Sequence, residues 1–112
     1  MNINPIVIAA LASLSIPVEP NTYDGIATEY IIFNYADERP EVYANDTDIL
    51  EETTIQVHYF TRGNTLKNKK AIRRLLRTAG FTIQSTAEFF ESDTKYNHVI
   101  VSAWIEAETD DD

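Results

Sequence analysis

His58 and His98 are the only imidazoles in this chain, and it has no cysteine. Without thiols, disulfides, cysteine metal sites and cysteine nucleophiles are excluded. Both histidines fall in the middle of alternating, strand-like runs. No HExxH or comparable spacing sets carboxylates beside them as metal ligation requires. If their strands pair, the two rings become neighbours on one sheet face, and a structural role is expected of each. The three glycines, Gly25, Gly63 and Gly80, occupy turn or cap positions rather than a phosphate-cradling loop. No serine sits in a nucleophile elbow. Carboxylates crowd residues 37–52, but nothing there raises one pKa for acid–base work, so they read as solvated charge. No catalytic, cofactor-binding or metal-ligating residue is expected, no cofactor is implied, and the chain is expected not to be an enzyme.

Charge carries more information than catalytic chemistry. Seven of the nine basic residues lie between Arg62 and Arg77: Arg62, Lys67, Lys69, Lys70, Arg73, Arg74 and Arg77. No Asp or Glu occurs from Thr53 to Ala87, so that window carries +7. The other two basic residues against 18 acidic ones leave −16 elsewhere, and the whole chain carries −9. An excess of acid opposes general nucleic-acid binding, which needs a basic surface for phosphate. A positive face on a negative body can instead draw copies into a heterologous, head-to-tail contact that closes into a ring. The bland alternative is a solvated basic helix face that keeps the domain soluble.

The elements that place these charges follow from periodicity. Pro5 to Leu14 is an apolar helix with Asn4 as its cap and Pro5 at its first position. It lacks the basic residues that open a secretory signal peptide. Being apolar nearly all round, it needs cover on more than one side, from a sheet or a neighbouring subunit. Ile16 to Pro20 is extended, because each proline disfavours helix in its predecessor, and Asn21 to Gly25 is a turn. Glu29 to Tyr35 alternates with apolar groups on both faces, which reads as a central or twice-covered strand. Ala36 to Glu51 is an acidic loop or protruding hairpin arm, longer than usual connections. Glu52 to Thr61 is the clearest strand, with Ile55, Val57 and Tyr59 on one side.

Asn64 or Thr65 caps the second helix. In it Ile72, Leu75, Leu76 and Ala79 form one apolar stripe, with Lys67, Lys70, Arg73, Arg74 and Arg77 on the opposite side and Lys69 at the margin. Gly80 stops it as a left-handed cap. Phe81 to Phe90 and Tyr96 to Ala107 alternate and should form an antiparallel hairpin about the turn Glu91 to Lys95. Residues 1–107 form one domain, and 108–112 an acidic tail. The order predicts an α+β fold: a mostly antiparallel sheet of about four strands with two helices packed on one face. With 112 residues the chain has room for one modest core. No apolar run approaches the roughly 18 residues that span a bilayer, so no membrane partner is expected.

Six tyrosines, five phenylalanines and one tryptophan are many for this length. They load both strand faces with more apolar surface than two helices on one side can cover. The open sheet face is therefore expected to meet another subunit.

The segments then line up with a known arrangement. The order runs from an apolar N-terminal helix through "IPVEP" (Ile16 to Pro20), "NTYDGIATEYIIFNY" (Asn21 to Tyr35) and "EVYANDTDILEE" (Glu41 to Glu52). It continues with "IQVHYFTRGN" (Ile55 to Asn64), "LLRTAGF" (Leu75 to Phe81) and "ESDTKYNHVIVSAWIE" (Glu91 to Glu106). Over residues 1–107 this resembles the tail-completion or tail-terminator (head–tail joining) proteins of long-tailed bacteriophages. The resemblance implies a non-enzymatic virion protein that forms a ring, commonly a hexamer, at the head-proximal end of the tail tube. Such a ring ends tube polymerisation, meets the tail-tube and head-connector proteins, and lets DNA pass without tight binding. It implies a place in the virion, and in the host cytoplasm during assembly.

The family supplies no catalytic motif, so interface residues come from charge alone. Arg62, Lys67, Lys70, Arg73, Arg74 and Arg77 are expected to face Asp37, Glu38, Glu41, Tyr43, Asp46 and Asp48 of a neighbour. Two other readings compete. One is a small acidic α+β binding or regulatory module that mimics DNA against a host protein, although the basic window interrupts any phosphate-like pattern. The other is a nucleic-acid binder whose second helix touches phosphate.

Overall fold

Alternating β-branched and aromatic residues build one five-stranded sheet, and two helices lie on one of its faces. A computed structural model describes residues 2–42 and 49–108. In chain order the elements are α1 (Asn4–Leu11), running into a 3-10 turn (Ala12–Leu14), β1 (Val18–Pro20), β2 (Tyr30–Val42), β3 (Ile49–Thr61), α2 (Leu66–Thr78), β4 (Thr82–Glu91) and β5 (Tyr96–Glu108). The sheet order is β1-β2-β3-β5-β4. The fold is α+β with a mostly antiparallel sheet, but of five strands where about four were expected.

The additional strand is Val18–Pro20. The prolines that bar helix here leave the backbone extended, and it pairs in parallel with β2 at Ile31, Ile32 and Phe33. Ile31 N–H donates to Pro17 O and Asn21 N–H donates to Phe33 O, both at 2.8 Å. The acidic Ala36 to Glu51 segment is a hairpin arm in its described parts. β2 and β3 stay paired out to Val42 and Ile49, past a bulge between Tyr35 and Asp37. β5 accompanies the arm as far as Glu108 opposite Leu50. The strands thus run well past the helix-covered core, and the molecule is 53 Å long against 24 Å across.

The core joins Ile3, Val7 and Leu11 of the first helical segment and Ile72 and Leu76 of α2 to the inward residues of the central strands. Those inward residues are Ile31 and Phe33 on β2, Ile55, Val57 and Tyr59 on β3, and Val99, Val101 and Ala103 on β5. Fully burying one such aliphatic side chain is worth about 1.5–3 kcal/mol. The cap of α1 differs from expectation. Asn4 is the first helical residue, and its N–H donates to Asn2 Oδ1 at 3.1 Å, so Asn2 fills the acceptor role. At α2, Thr65 takes the cap position, but it is Asn64 Oδ1 that accepts the Leu66 N–H, at 2.8 Å.

The run from Phe81 to Phe90 is not one unbroken alternation. A bulge between Ile83 and Ser85 shifts its phase. Ile83 lies opposite Ala103 and packs on the core, whereas Ser85, Ala87 and Phe89 lie opposite Ser102, Ile100 and His98. Phe89 is consequently thrown onto the face without helices.

Candidate functional site

No described element covers that second face. Across it, register brings Tyr30 of β2, Phe60 of β3, His98 of β5 and Phe89 of β4 into one transverse row. Tyr23, from the segment before β2, stacks on Tyr30 at 4.6 Å between ring centroids. Tyr30 stacks on Phe60 at 4.9 Å, and Phe60 on His98 at 4.2 Å. Tyr96 meets Tyr30 and Phe60 edge-on, at 5.9 and 6.0 Å, and Phe89 meets His98 edge-on at 6.3 Å. Offset and edge-on aromatic pairs contribute about 0.5–1.5 kcal/mol each beyond the area they bury. Tyr23 reaches the stack because its ring folds back over Gly25, where a Cβ would collide with the phenol. Its hydroxyl accepts the Ala27 N–H at 2.8 Å.

Polar side chains run through this face. His58 Nδ1 lies 2.8 Å from His98 Nε2, and His58 Nε2 lies 2.9 Å from Asn34 Oδ1. On the far side of His98, Nδ1 is 3.3 Å from Glu91 Oε2. Burial, then the neighbouring His98, holds the His58 pKa below the ordinary imidazole value. Burial raises the Tyr30 pKa, with Tyr96 and Glu91 adding to it.

The basic residues occupy the other side of the molecule, on the outer surface of α2. Lys67, Lys70, Arg74 and Arg77 are exposed, and among the described residues none of the four has an ion-pair partner. Arg73 departs from the stripe: it is half-buried, and its Nε lacks a hydrogen-bond partner. Lys69, expected at the margin, reaches Glu88 of β4 at 3.0 Å. Bonds from Lys69 and then Thr65 hold the Glu88 carboxyl below the ordinary range. Arg62 stands apart from the helix. Its guanidinium rests 4.3 Å over the Tyr96 ring, and its Nε donates to Thr94 O at 3.2 Å.

The fold is known elsewhere. A chain of a solved structure described as the virion of a native gene transfer agent (GTA) particle superposes with a TM-score of 0.59 at 11% sequence identity. The match covers 89% of this chain and 84% of that one, and at such identity the likeness is one of fold. No protein-family model matches the chain, and no curated protein matches it in sequence.

Of the acidic candidates, Asp37, Glu38 and Glu41 lie on β2 opposite Thr54, Thr53 and Leu50 of β3. Tyr43, Asp46 and Asp48 lie outside the described residues. Within the chain, Asp37, Glu38 and Glu41 lie on β2, whereas Lys67, Lys70, Arg73, Arg74 and Arg77 lie on α2. Among the described residues, no three His, Asp or Glu side chains come together as metal ligands, and no helix is long and apolar enough to cross a membrane.

The aromatic row was only partly visible in the sequence. Tyr30, Phe60 and His98 hold the out-facing parity of their strands. Phe89 needed the bulge, and Tyr23 needed the turn at Gly25, and neither leaves a periodic signal.

Proposed function

We propose that this protein is a non-enzymatic structural component of a phage-like virion. It forms a ring, most simply a hexamer, at the head-proximal end of the tail tube, ends tube polymerisation there and joins tail to head. The observation that carries the reading is the fold shared, over nearly the whole chain, with a chain from the virion of a gene transfer agent particle. Surface chemistry adds support. One sheet face presents an aromatic row without a described covering element, one helix presents cations that have no ion-pair partner among the described residues, and a hairpin arm carries acid. These are the parts a heterologous contact between copies needs. The arm and the stripe join neighbouring subunits, and the aromatic face is covered on assembly by a subunit, the tail-tube protein or the head connector. An overall charge of −9 suits a channel through which DNA passes without being gripped.

Deleting the gene from the parent phage tests the proposal. Tails of irregular length that fail to join heads are expected; normal tails on filled heads would rule the reading out. Electron microscopy of the purified protein at high concentration should show closed rings.

A further inference from the structure

The polar chain on the uncovered face has acceptors at both ends. Asn34 holds its amide nitrogen toward Tyr35 O at 3.4 Å, which turns its oxygen to His58 Nε2. Glu91, at the other end, stands beside His98 Nδ1 and accepts a bond from Thr94 Oγ1 at 3.1 Å. A carboxylate only accepts, and the Asn34 oxygen only accepts, so both outer ring nitrogens must carry N–H. The inner contact, His58 Nδ1 to His98 Nε2 at 2.8 Å, needs one N–H and one lone pair. The three contacts therefore require three N–H groups on two imidazoles. Two neutral rings supply two, and two imidazolium rings supply four.

We infer that His58 and His98 form a dyad sharing one extra proton, a pH-sensitive clasp that ties β2, β3, β5 and β4 together across the uncovered face. The proton belongs on His98. That ring has Glu91 beside it and Phe60 stacked on it at 4.2 Å, and both favour a cation. His58 is then neutral with its proton on Nε2, which agrees with the depression of its pKa by burial and by His98. The other ionisable groups near the pair are Tyr30 on β2, Tyr96 on β5, and Arg62 after β3, whose guanidinium lies on the Tyr96 ring. Among the described residues, Glu91 is the carboxylate in contact with the pair. A second proton places two N–H groups nose to nose at the inner contact, so that bond breaks. The rings then separate and carry Phe60 and Phe89, which pack on them, out of the transverse row. Loss of the shared proton leaves one of the three contacts without a donor.

Imidazole 15N–1H spectra of the full-length protein between pH 8 and pH 4 test this. The pair should take up its two protons in separate steps, because coupled sites titrate as a unit. Between the steps, His98 should show both N–H signals and His58 only the Nε2–H. Asn34→Asp adds a charge beside His58 without changing side-chain size and should move the lower step up by roughly one pH unit. Glu91→Gln should move the upper step down by roughly half a unit, the size expected of a partly exposed ion pair. A single step common to both rings, protonation of His58 first, or insensitivity to both substitutions overturns the inference. None of these readouts depends on a virion role for the protein.

Discussion

Among the described residues, Tyr59 is the one large polar side chain drawn wholly into the core, at 1% exposure. Its hydroxyl donates to Glu29 Oε2 and accepts from Asn68 Nδ2 at 3.0 Å, which ties β3 to α2 and to the segment before β2. Burial, then the bond to Glu29, raises the phenol pKa above its ordinary 10.0. Tyr59→Phe keeps the ring and leaves Asn68 bonded to Glu29 at 3.2 Å, so a loss of about 1–1.5 kcal/mol is expected in urea titration. Because the folded pKa is raised, the hydroxyl's stabilisation is complete below the ordinary phenol value and lost as pH rises through the folded one. The gap between wild type and variant should close in alkali. Glu88 has the opposite sign. Its carboxyl is depressed by Lys69 and Thr65, so its contribution is present above the ordinary Glu value and lost as pH falls through the folded one. Since Glu88 is 38% exposed, Glu88→Gln should cost no more than about 0.5 kcal/mol at neutral pH, shrinking in acid and in salt.

At the scale of elements, α2 ends where the backbone must turn left-handed. Gly80 has φ +106°, its N–H donates to Arg77 O at 3.0 Å, and Phe81 N–H donates to Leu76 O at 3.0 Å. The paired bonds form a Schellman closure. A Cβ at Gly80 would meet Ile105 Cδ1 at an ordinary 3.5 Å, so the cost of Gly80→Ala is conformational rather than steric. About 1–2 kcal/mol is expected by thermal melting, with no change in the folded spectrum. This stop was legible in the sequence, as were the α2 apolar stripe and the faces of β3 and β5, because each rests on local chemistry or strict period. β1 was legible only as an extended piece, since parallel pairing with β2 is a long-range choice that no local residue encodes. The β4 bulge reversed the parity of Ser85, Ala87 and Phe89, and a period-2 reading cannot see a phase shift. The cationic part of the candidate interface followed from helical period. Burial of Arg73 did not, because the half-turn it occupies borders the stripe.

At the scale of the molecule, the charge separation makes a prediction that distinguishes a ring from a solvated helix face. Lys67, Lys70, Arg74 and Arg77 are exposed, and among the described residues they have no ion-pair partner. Reversing all four to Glu moves the net charge from −9 to −17, two units at each site, and should leave the melting temperature nearly unchanged. If stripe meets hairpin arm between neighbours, this variant sets acid against acid at every contact and should neither assemble nor support virion formation. A second variant, with Asp37, Glu38 and Glu41 changed to Lys, sets base against base and should fail alike. Co-expressed, the two are complementary in both directions: the first variant's acidic arm meets the second's basic stripe, and its acidic stripe meets the second's basic arm. Alternating copies can therefore close an even-numbered ring such as a hexamer, whereas an odd-numbered ring must retain one repulsive joint. Restored head–tail joining in cells carrying both variants, and in neither alone, is the expected result. Virion yield unaffected by either variant alone would return the stripe to an ordinary solvated face.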